Sequence, residues 1–130
     1  MVHIPVGTLG ERKVLVTREI AISFMGVEDA RVLSTPEMIR LMERTCRDTV
    51  LPLLDAGHDT VGTHVNVYHR ASAPLGVDVV FRAEVLGVSE RRIQFRVEAV
   101  TDKERIGEGT HERTIVNVAK FAARQAEKKK

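Results

Sequence analysis

Three side chains in this sequence combine residue types and positions that suit proton transfer or nucleophilic attack. Glu43 lies on the margin of the apolar stripe of a helical stretch, where partial desolvation would raise its pKa and make it a better base or nucleophile. Thr35 lies at the start of that stretch, where a helix presents unpaired backbone N–H groups and the positive end of its dipole. His69 ends a stretch of alternating residues, and an imidazole exchanges protons near neutral pH. We therefore take these three residues as candidates for acid–base or covalent chemistry.

Each candidate also has an ordinary structural interpretation. Glu43 could pair with Arg40 or Arg47, three residues before it and four after it on a helix. Thr35 could act only as a helix cap, and His69 could be a partly exposed residue with satisfied hydrogen bonds. However, Thr35 and Glu43 differ by only about 80° around a helix, so both can face one cleft.

The stretch that carries His69 is predicted to be a strand over residues 61–69. Its alternation leaves His64 on the opposite face, although one β-bulge would exchange the two faces. Gly62 either begins this strand or lets a ligand carbonyl approach the backbone amide, as an oxyanion hole requires. His111, on a later predicted strand, has no helix partner implied by the sequence. The face predicted to meet the helix consists of Val61, Thr63, Val65, Val67 and His69.

The elements that position these residues can be read from periodicity and turn signals. Ser34-Thr35-Pro36-Glu37 predicts a helix start, with Thr35 as the cap if Pro36 is the first helical residue, or Ser34 as the cap if Glu37 closes a capping box. The helix is predicted to end at residue 53 or 54, with Cys46 packed in its apolar stripe. Strands are predicted at residues 13–24, 61–69, 77–88, 92–101 and 105–118, with a loop at 25–33.

These elements predict an α+β fold in which a curved antiparallel sheet wraps around one long central helix. A helix of about 18 residues spans roughly 27 Å and a strand of about ten residues roughly 33 Å, so their lengths match. We expect a single domain over residues 1–120 and a basic C-terminal tail over residues 121–130, which forms a frayed helix or a mobile tail. Because one helix covers only part of a sheet, we also expect a partner subunit.

Composition excludes several classes of protein. The formal net charge of +2 argues against nucleic-acid binding, and no apolar run approaches the ~20 residues of a membrane span. Cys46 is the only cysteine, which rules out an intrachain disulfide, and no secretory signal is recognised, so we expect a cytoplasmic protein. The spacing of histidine and cysteine residues gives no convincing metal site.

Several strings of residues resemble those of a known family. They are Ser34-Thr35-Pro36, Leu41-Met-Glu-Arg-Thr-Cys46, Gly62-Thr-His-Val-Asn-Val-Tyr-His69 and Ile106-Gly-Glu-Gly-Thr-His-Glu-Arg113. Together they resemble the fluoroacetyl-CoA-specific thioesterase-like family of hotdog proteins. The resemblance extends from about residue 13 to residue 118, which is nearly the whole chain.

This resemblance implies the hotdog fold and a homodimer. It also implies hydrolysis of a small acyl-CoA thioester, with Thr35, Glu43 and His69 as the reacting side chains. Gly62 corresponds to the glycine whose amide faces the thioester oxygen, and Arg113 corresponds to the arginine that supports the site.

The resemblance further implies that CoA enters as part of the substrate, so no separate cofactor is expected. Candidates to bind its phosphates are Arg70, Arg91 and Arg92. The fluoroacetyl-specific member of the family carries a phenylalanine-bearing lid just before the helix. The corresponding stretch here, residues 24–33, has only Phe24 among otherwise small or charged residues, so selectivity for fluoroacetyl-CoA is not predicted.

Two other functions stay open on the sequence. A hotdog protein could bind an acyl-CoA without turning it over. It could also hydrate an enoyl-CoA, although such hydratases typically carry an Asp-x-x-x-x-His motif on the helix, which is absent from this sequence.

Overall fold

The computed structural model describes residues 3–23 and 26–130, so Phe24 lies outside the described residues. The strands are β1 (Leu9–Leu15), β2 (Ala21–Ile22), β3 (Val32–Leu33), β4 (His58–His69), β5 (Asp78–Ser89), β6 (Arg92–Val100) and β7 (Arg105–Asn117). The α-helices are α1 (Thr35–Val50) and α2 (Val118–Lys128). Single turns of 3-10 helix occur at Arg18–Ile20, Glu28–Ala30 and Leu51–Leu53.

Five strands form one antiparallel sheet in the order β1-β5-β6-β7-β4. Alternate residues of the central strands point toward α1 and are almost fully buried, which places the core between helix and sheet. The predicted arrangement of one long helix against an antiparallel sheet is therefore present. None of the helices among the described residues is long and apolar enough to cross a membrane.

The start of α1 decides between the two predicted caps. Ser34 is the N-cap, and its Oγ accepts a hydrogen bond from the Glu37 N–H at 3.3 Å. The Ser34 N–H donates to the carbonyl of Ile20, so the Glu37 carboxylate does not close a capping box and instead accepts from Arg40. As a result, the Thr35 hydroxyl is not used in capping.

The first predicted strand, residues 13–24, is wrong in its bounds. β1 ends at Leu15, and the buried Val16 donates its N–H to the carbonyl of Val77 before the chain turns. The apolar residues that follow pack over the start of α1 instead of continuing the sheet, and β2 pairs only with β3. Tertiary contacts thus override the β-propensity of this stretch.

A β-bulge interrupts β4 at Thr63. Gly62 pairs with Arg113 and His64 with Glu112, so Thr63 is the extra residue on the bulged strand. The prediction that Val61 and Thr63 share the face of Val67 and His69 is therefore wrong. Thr60 and Gly62 face inward before the bulge, because they pair with Ile115 and Arg113, whereas Val65, Val67 and His69 face inward after it.

The C-terminal stretch, for which the sequence allows a helix or a tail, belongs to α2. Asn117 caps this helix by accepting a hydrogen bond from the Lys120 N–H at 3.0 Å. None of the residues of α2 is buried.

Gly109 marks a close approach between β7 and the edge strand β4. A Cβ at Gly109 would lie 2.6 Å from the Cα of Val67 and would also collide with the carbonyl oxygen of Asn66. Because backbone cannot move aside cheaply, we expect Gly109→Ala to reduce the free energy of unfolding by about 2 kcal/mol or more. Gly87→Ala is the matched control, since a Cβ there would meet nothing within 4 Å. Equal melting temperatures of the two variants in thermal unfolding would contradict this expectation.

Candidate active site

One group of candidate residues forms where α1 begins and β4 ends. The Thr35 Oγ and the His69 Nδ1 lie 2.8 Å apart and share a hydrogen bond. The His69 Nε2 is buried and has no hydrogen-bond partner among the described residues. Burial lowers the pKa of His69, and a hydrogen bond with the backbone of Ala71 opposes part of this change. The imidazole is therefore neutral at neutral pH and able to accept a proton. A cleft of about 290 Å³ borders this pair.

A second group surrounds Glu43, whose side chain is 37% exposed. Its Oε1 lies 3.6 Å from the Arg113 Nη1 and 3.8 Å from the His111 Nε2. Gly62 of β4 faces the same atom, because a Cβ at Gly62 would lie 2.5 Å from it. Only a glycine lets the carboxylate approach the backbone of the edge strand this closely.

The ordinary interpretation of Glu43, as a partner of Arg40 or Arg47, does not describe the structure. Arg40 donates to Glu37 at 2.7 Å, and Arg47 donates to Asp59 at 2.9 and 2.7 Å. Glu43 therefore faces inward and does not pair with an arginine on the solvent side of α1.

Arg113 is buried beside Glu43, with 7% of its side chain exposed. Its Nε donates to the Thr60 Oγ1 at 2.7 Å, its Nη2 to the Thr60 carbonyl at 2.9 Å, and its Nη1 to the His111 Nε2 at 3.1 Å. Burial lowers the pKa of Arg113 and Glu43 opposes that change, but a guanidinium stays charged in proteins. The site thus contains one fixed positive charge next to one carboxylate.

The two groups of candidate residues do not meet within one chain. Thr35 and Glu43 are eight residues apart on α1, roughly 12 Å of helix rise, and Gly62 and His69 are seven residues apart on β4, roughly 20 Å of strand. Across residues 3–23 and 26–130, no hydrogen bond joins the two groups. The structure brings Thr35 to His69, and Glu43 to Gly62 and Arg113.

The remaining sequence candidates have simpler roles. His64 faces outward, opposite Glu112, and is exposed. Cys46 is completely buried, and burial raises the pKa of its thiol to about 12, as expected for inert packing. Arg70 binds Glu108 and lies over the ring of Tyr68. In the part of the chain that the structure describes, no cluster of three or more His, Cys, Asp or Glu residues could hold a metal ion.

His111 is a residue of the site that the sequence did not predict. It lies beside Glu43 of α1, although the sequence implied no helix partner for it. The alternation of His111, Arg113 and Ile115 on β7, all three buried, was the available signal.

The long helix α1 packed against a five-stranded antiparallel sheet is the arrangement that the sequence predicted for a hotdog protein. Comparisons with known proteins agree. The sequence matches the fluoroacetyl-CoA-specific thioesterase family over residues 16–119. The fluoroacetyl-CoA thioesterase of Streptantibioticus cattleyicolor is 38% identical over 101 residues, which cover 78% of this chain and 73% of that protein.

Solved structures extend the similarity to the whole fold. The structure of the fluoroacetyl-CoA thioesterase FlK is similar with a TM-score of 0.88 and 32% identity, over 97% of this chain and 98% of that one. A thioesterase superfamily member from Thermus thermophilus, a hypothetical protein, is similar with a TM-score of 0.89 and 32% identity, over 99% and 96% of the two chains. This chain belongs to the fluoroacetyl-CoA-specific thioesterase family. The predicted hotdog fold and the predicted class of enzyme, an acyl-CoA thioesterase, are confirmed.

The buried histidines make the stability of the protein depend on pH. Burial is the main cause that lowers the pKa of both His69 and His111 from 6.5, so the unfolded chain binds more protons than the folded one just below that value. The part of the free energy of unfolding that depends on these two histidines is fully present above pH 6.5. It is lost as the pH falls toward their folded-state pKa values. Each proton taken up on unfolding lowers the free energy of unfolding by at most about 1.4 kcal/mol per pH unit.

We therefore expect chemical denaturation to give a lower free energy of unfolding below pH 6.5 than above it, before most carboxylates titrate. His111→Gln should flatten this dependence, because it removes one of the two titrating groups. If the free energy of unfolding depended on pH as steeply in His111→Gln as in the wild type, His111 would not be one of the titrating groups.

Proposed function

We propose that this protein hydrolyses a small acyl-CoA to the free acid and CoA, with Glu43 as the group that attacks the carbonyl or activates water. The observation that carries the proposal is the placement of the Glu43 carboxylate against Gly62, with the Arg113 guanidinium at 3.6 Å. At this distance the carboxylate feels a positive charge but is not closely hydrogen-bonded to it. Its oxygens can therefore take part in the reaction.

The remaining candidates are assigned by the same chemistry. The Gly62 amide is proposed to donate to the thioester oxygen, where negative charge develops. When Glu43 acts as base, it takes a proton from water as the water oxygen bonds to the carbonyl carbon. The carbon–sulfur bond then breaks, and the sulfur leaves as a thiolate that takes up a proton. His69, with Thr35 bound to its Nδ1, is proposed to carry protons and to orient the reacting groups. We propose no cofactor beyond the CoA of the substrate.

We propose that the protein is a homodimer in which each site uses both chains. β4 is the terminal strand of the sheet and is twelve residues long, and such an edge normally pairs or is protected. It also exposes 41% of Val65 and 57% of Tyr68. If two copies of β4 pair antiparallel about an axis between residues 65 and 66, His69 of one subunit lies opposite residue 62 of the other. There it would approach the partner's Gly62 and the partner's Glu43.

The substrate class follows from the family and from the stretch before α1. One relative acts on fluoroacetyl-CoA, as its name states. We propose a small acyl group without proposing selectivity for fluoroacetyl, because residues 24–33 carry only Phe24 among otherwise small or charged residues. We also propose a cytoplasmic location, which suits a chain whose only cysteine is a buried free thiol.

Release of CoA thiol from acetyl-CoA and from a series of short acyl-CoAs tests the proposed reaction. We expect Glu43→Gln to reduce kcat by about 100-fold or more, because it removes the base or nucleophile and keeps the shape of the side chain. Asp48→Asn is the matched control, since Asp48 lies on the same helix but pairs with Arg12 at the surface. It should retain wild-type activity.

Three results would overturn this proposal. A wild-type protein no faster than Glu43→Gln on every substrate would exclude catalysis by this site, and tight binding of acyl-CoA without thiol release would make the protein a binder instead. Hydration of crotonyl-CoA without thiol release would make it a hydratase.

Mixing two inactive variants tests the shared site. Glu43→Gln and His69→Ala should each be inactive alone. In a mixed dimer, however, one site receives Glu43 from one chain and His69 from the other, and is intact. Coexpression should therefore restore about one quarter of the wild-type activity, because half of the dimers are mixed and each has one intact site.

If each site lay within one chain, no mixed dimer could contain an intact site. Coexpressed chains that form mixed dimers but stay inactive would thus contradict the shared site, without bearing on the role of Glu43. Mixed dimers can be identified by two different affinity tags on the two variants.

A further inference from the structure

His111 is enclosed on every side by groups of the site. Its side chain is 2% exposed, and its ring stacks on Phe95 with centroids 6.2 Å apart. Its Nδ1 lies 2.8 Å from the carbonyl oxygen of His64, at the end of the β4 bulge, and its Nε2 lies 3.1 Å from the Arg113 Nη1.

These two contacts fix the protonation state of the ring. A carbonyl oxygen can only accept, so the Nδ1 must carry a hydrogen and donate it to His64. A guanidinium can only donate, so the Nε2 must offer its lone pair to Arg113. His111 is therefore the neutral tautomer with hydrogen on Nδ1. Burial and the charge of Arg113 lower its pKa, and they outweigh the His64 carbonyl and Glu43, which act in the opposite direction.

The lone pair of His111 determines where Arg113 places its third donor group. The Nε and the Nη2 of Arg113 are both bound to Thr60, which leaves the Nη1 between His111 and Glu43. With His111 as acceptor at 3.1 Å, the Nη1 stays 3.6 Å from the Glu43 Oε1, beyond a normal hydrogen bond. The Nη1 carries two hydrogens, so His111 acts by holding the position of this nitrogen and not by using up its donors. Without that acceptor, a small rotation would bring the Nη1 close enough for a charge-assisted hydrogen bond to Glu43.

We propose that His111 is a positioning residue that keeps Arg113 from closing onto Glu43, so that the carboxylate keeps free the lone pairs that its reaction needs. The inference rests on the proposed function of Glu43. The groups that face Glu43 are His111 and Arg113 from β7, the backbone of Gly62 from β4 and the uncharged Cys46 thiol from α1. Among the described residues, Arg113 is the arginine or lysine that lies within ion-pair distance of the Glu43 carboxylate, with its Nη1 at 3.6 Å.

Two substitutions of His111 separate this role from simple packing. His111→Phe keeps a ring next to Phe95 but removes the acceptor, and His111→Leu repeats the test with a smaller side chain. His111→Gln is the conservative control, because its amide can donate to His64 while its carbonyl accepts from Arg113. We measure the pH dependence of kcat/KM, whose acid limb reports the protonation of the groups that must be unprotonated in the free enzyme.

In the apolar variants, we expect the acid limb to move to lower pH by roughly one unit or more, because Arg113 then binds the carboxylate directly. The value of kcat should fall by roughly tenfold at neutral pH. His111→Gln should keep the wild-type acid limb. Thermal unfolding of each variant checks that the comparison is made between folded proteins.

A second measurement does not depend on activity. The carboxyl carbon of Glu43 can be titrated by ¹³C NMR, with its signal assigned by its loss in Glu43→Gln. We expect its pKa to be lower in His111→Phe or His111→Leu than in the wild type. An unchanged Glu43 pKa in folded apolar variants, or an equal change in His111→Gln, would overturn the inference. Absence of thiol release by the wild type would instead overturn the proposed function.

Discussion

The buried guanidinium of Arg113 is the constraint on which the rest of the site depends. An ion removed from water costs several kcal/mol unless its donors are all satisfied, so every neighbour of Arg113 must present an acceptor. Thr60 supplies two acceptors, His111 supplies a third, and Glu43 supplies the opposite charge. These residues come from β4, β7 and α1, and so a single buried charge links the helix to two strands.

The bulge of β4 is the second consequence of this arrangement. His111 needs an acceptor for its Nδ1 hydrogen, and the bulge at Thr63 turns the carbonyl of His64 toward it. The same extra residue shifts the phase of the strand, so that Gly62 and His69 both face inward despite being an odd number of residues apart. Without the bulge, a regular strand could present one of them to the helix side, but not both.

The parts of the structure that follow from local sequence were predictable, and the parts that depend on distant partners were not. The start of α1 and the marginal position of Glu43 follow from capping residues and helical periodicity, and the structure has both. The His64 carbonyl beside the bulge accepts a hydrogen bond from His111, nearly fifty residues later, so this contact could not be predicted from β4 alone. For the same reason His111 itself was missed, because its role exists only once Arg113 and Glu43 are adjacent. The bounds of the first predicted strand were wrong because its last residues pack near α1 and do not continue the sheet.

Cys46 has a consequence for an enzyme that releases a thiol at every turnover. A reactive cysteine near such a site would be open to exchange with oxidised forms of the product and could be trapped as a mixed disulfide. Here the sulfur is completely buried in the stripe of α1 and its pKa is raised to about 12, so almost no thiolate is present. The thiol of Cys46 is thus unreactive toward the thiol that the family's reaction produces.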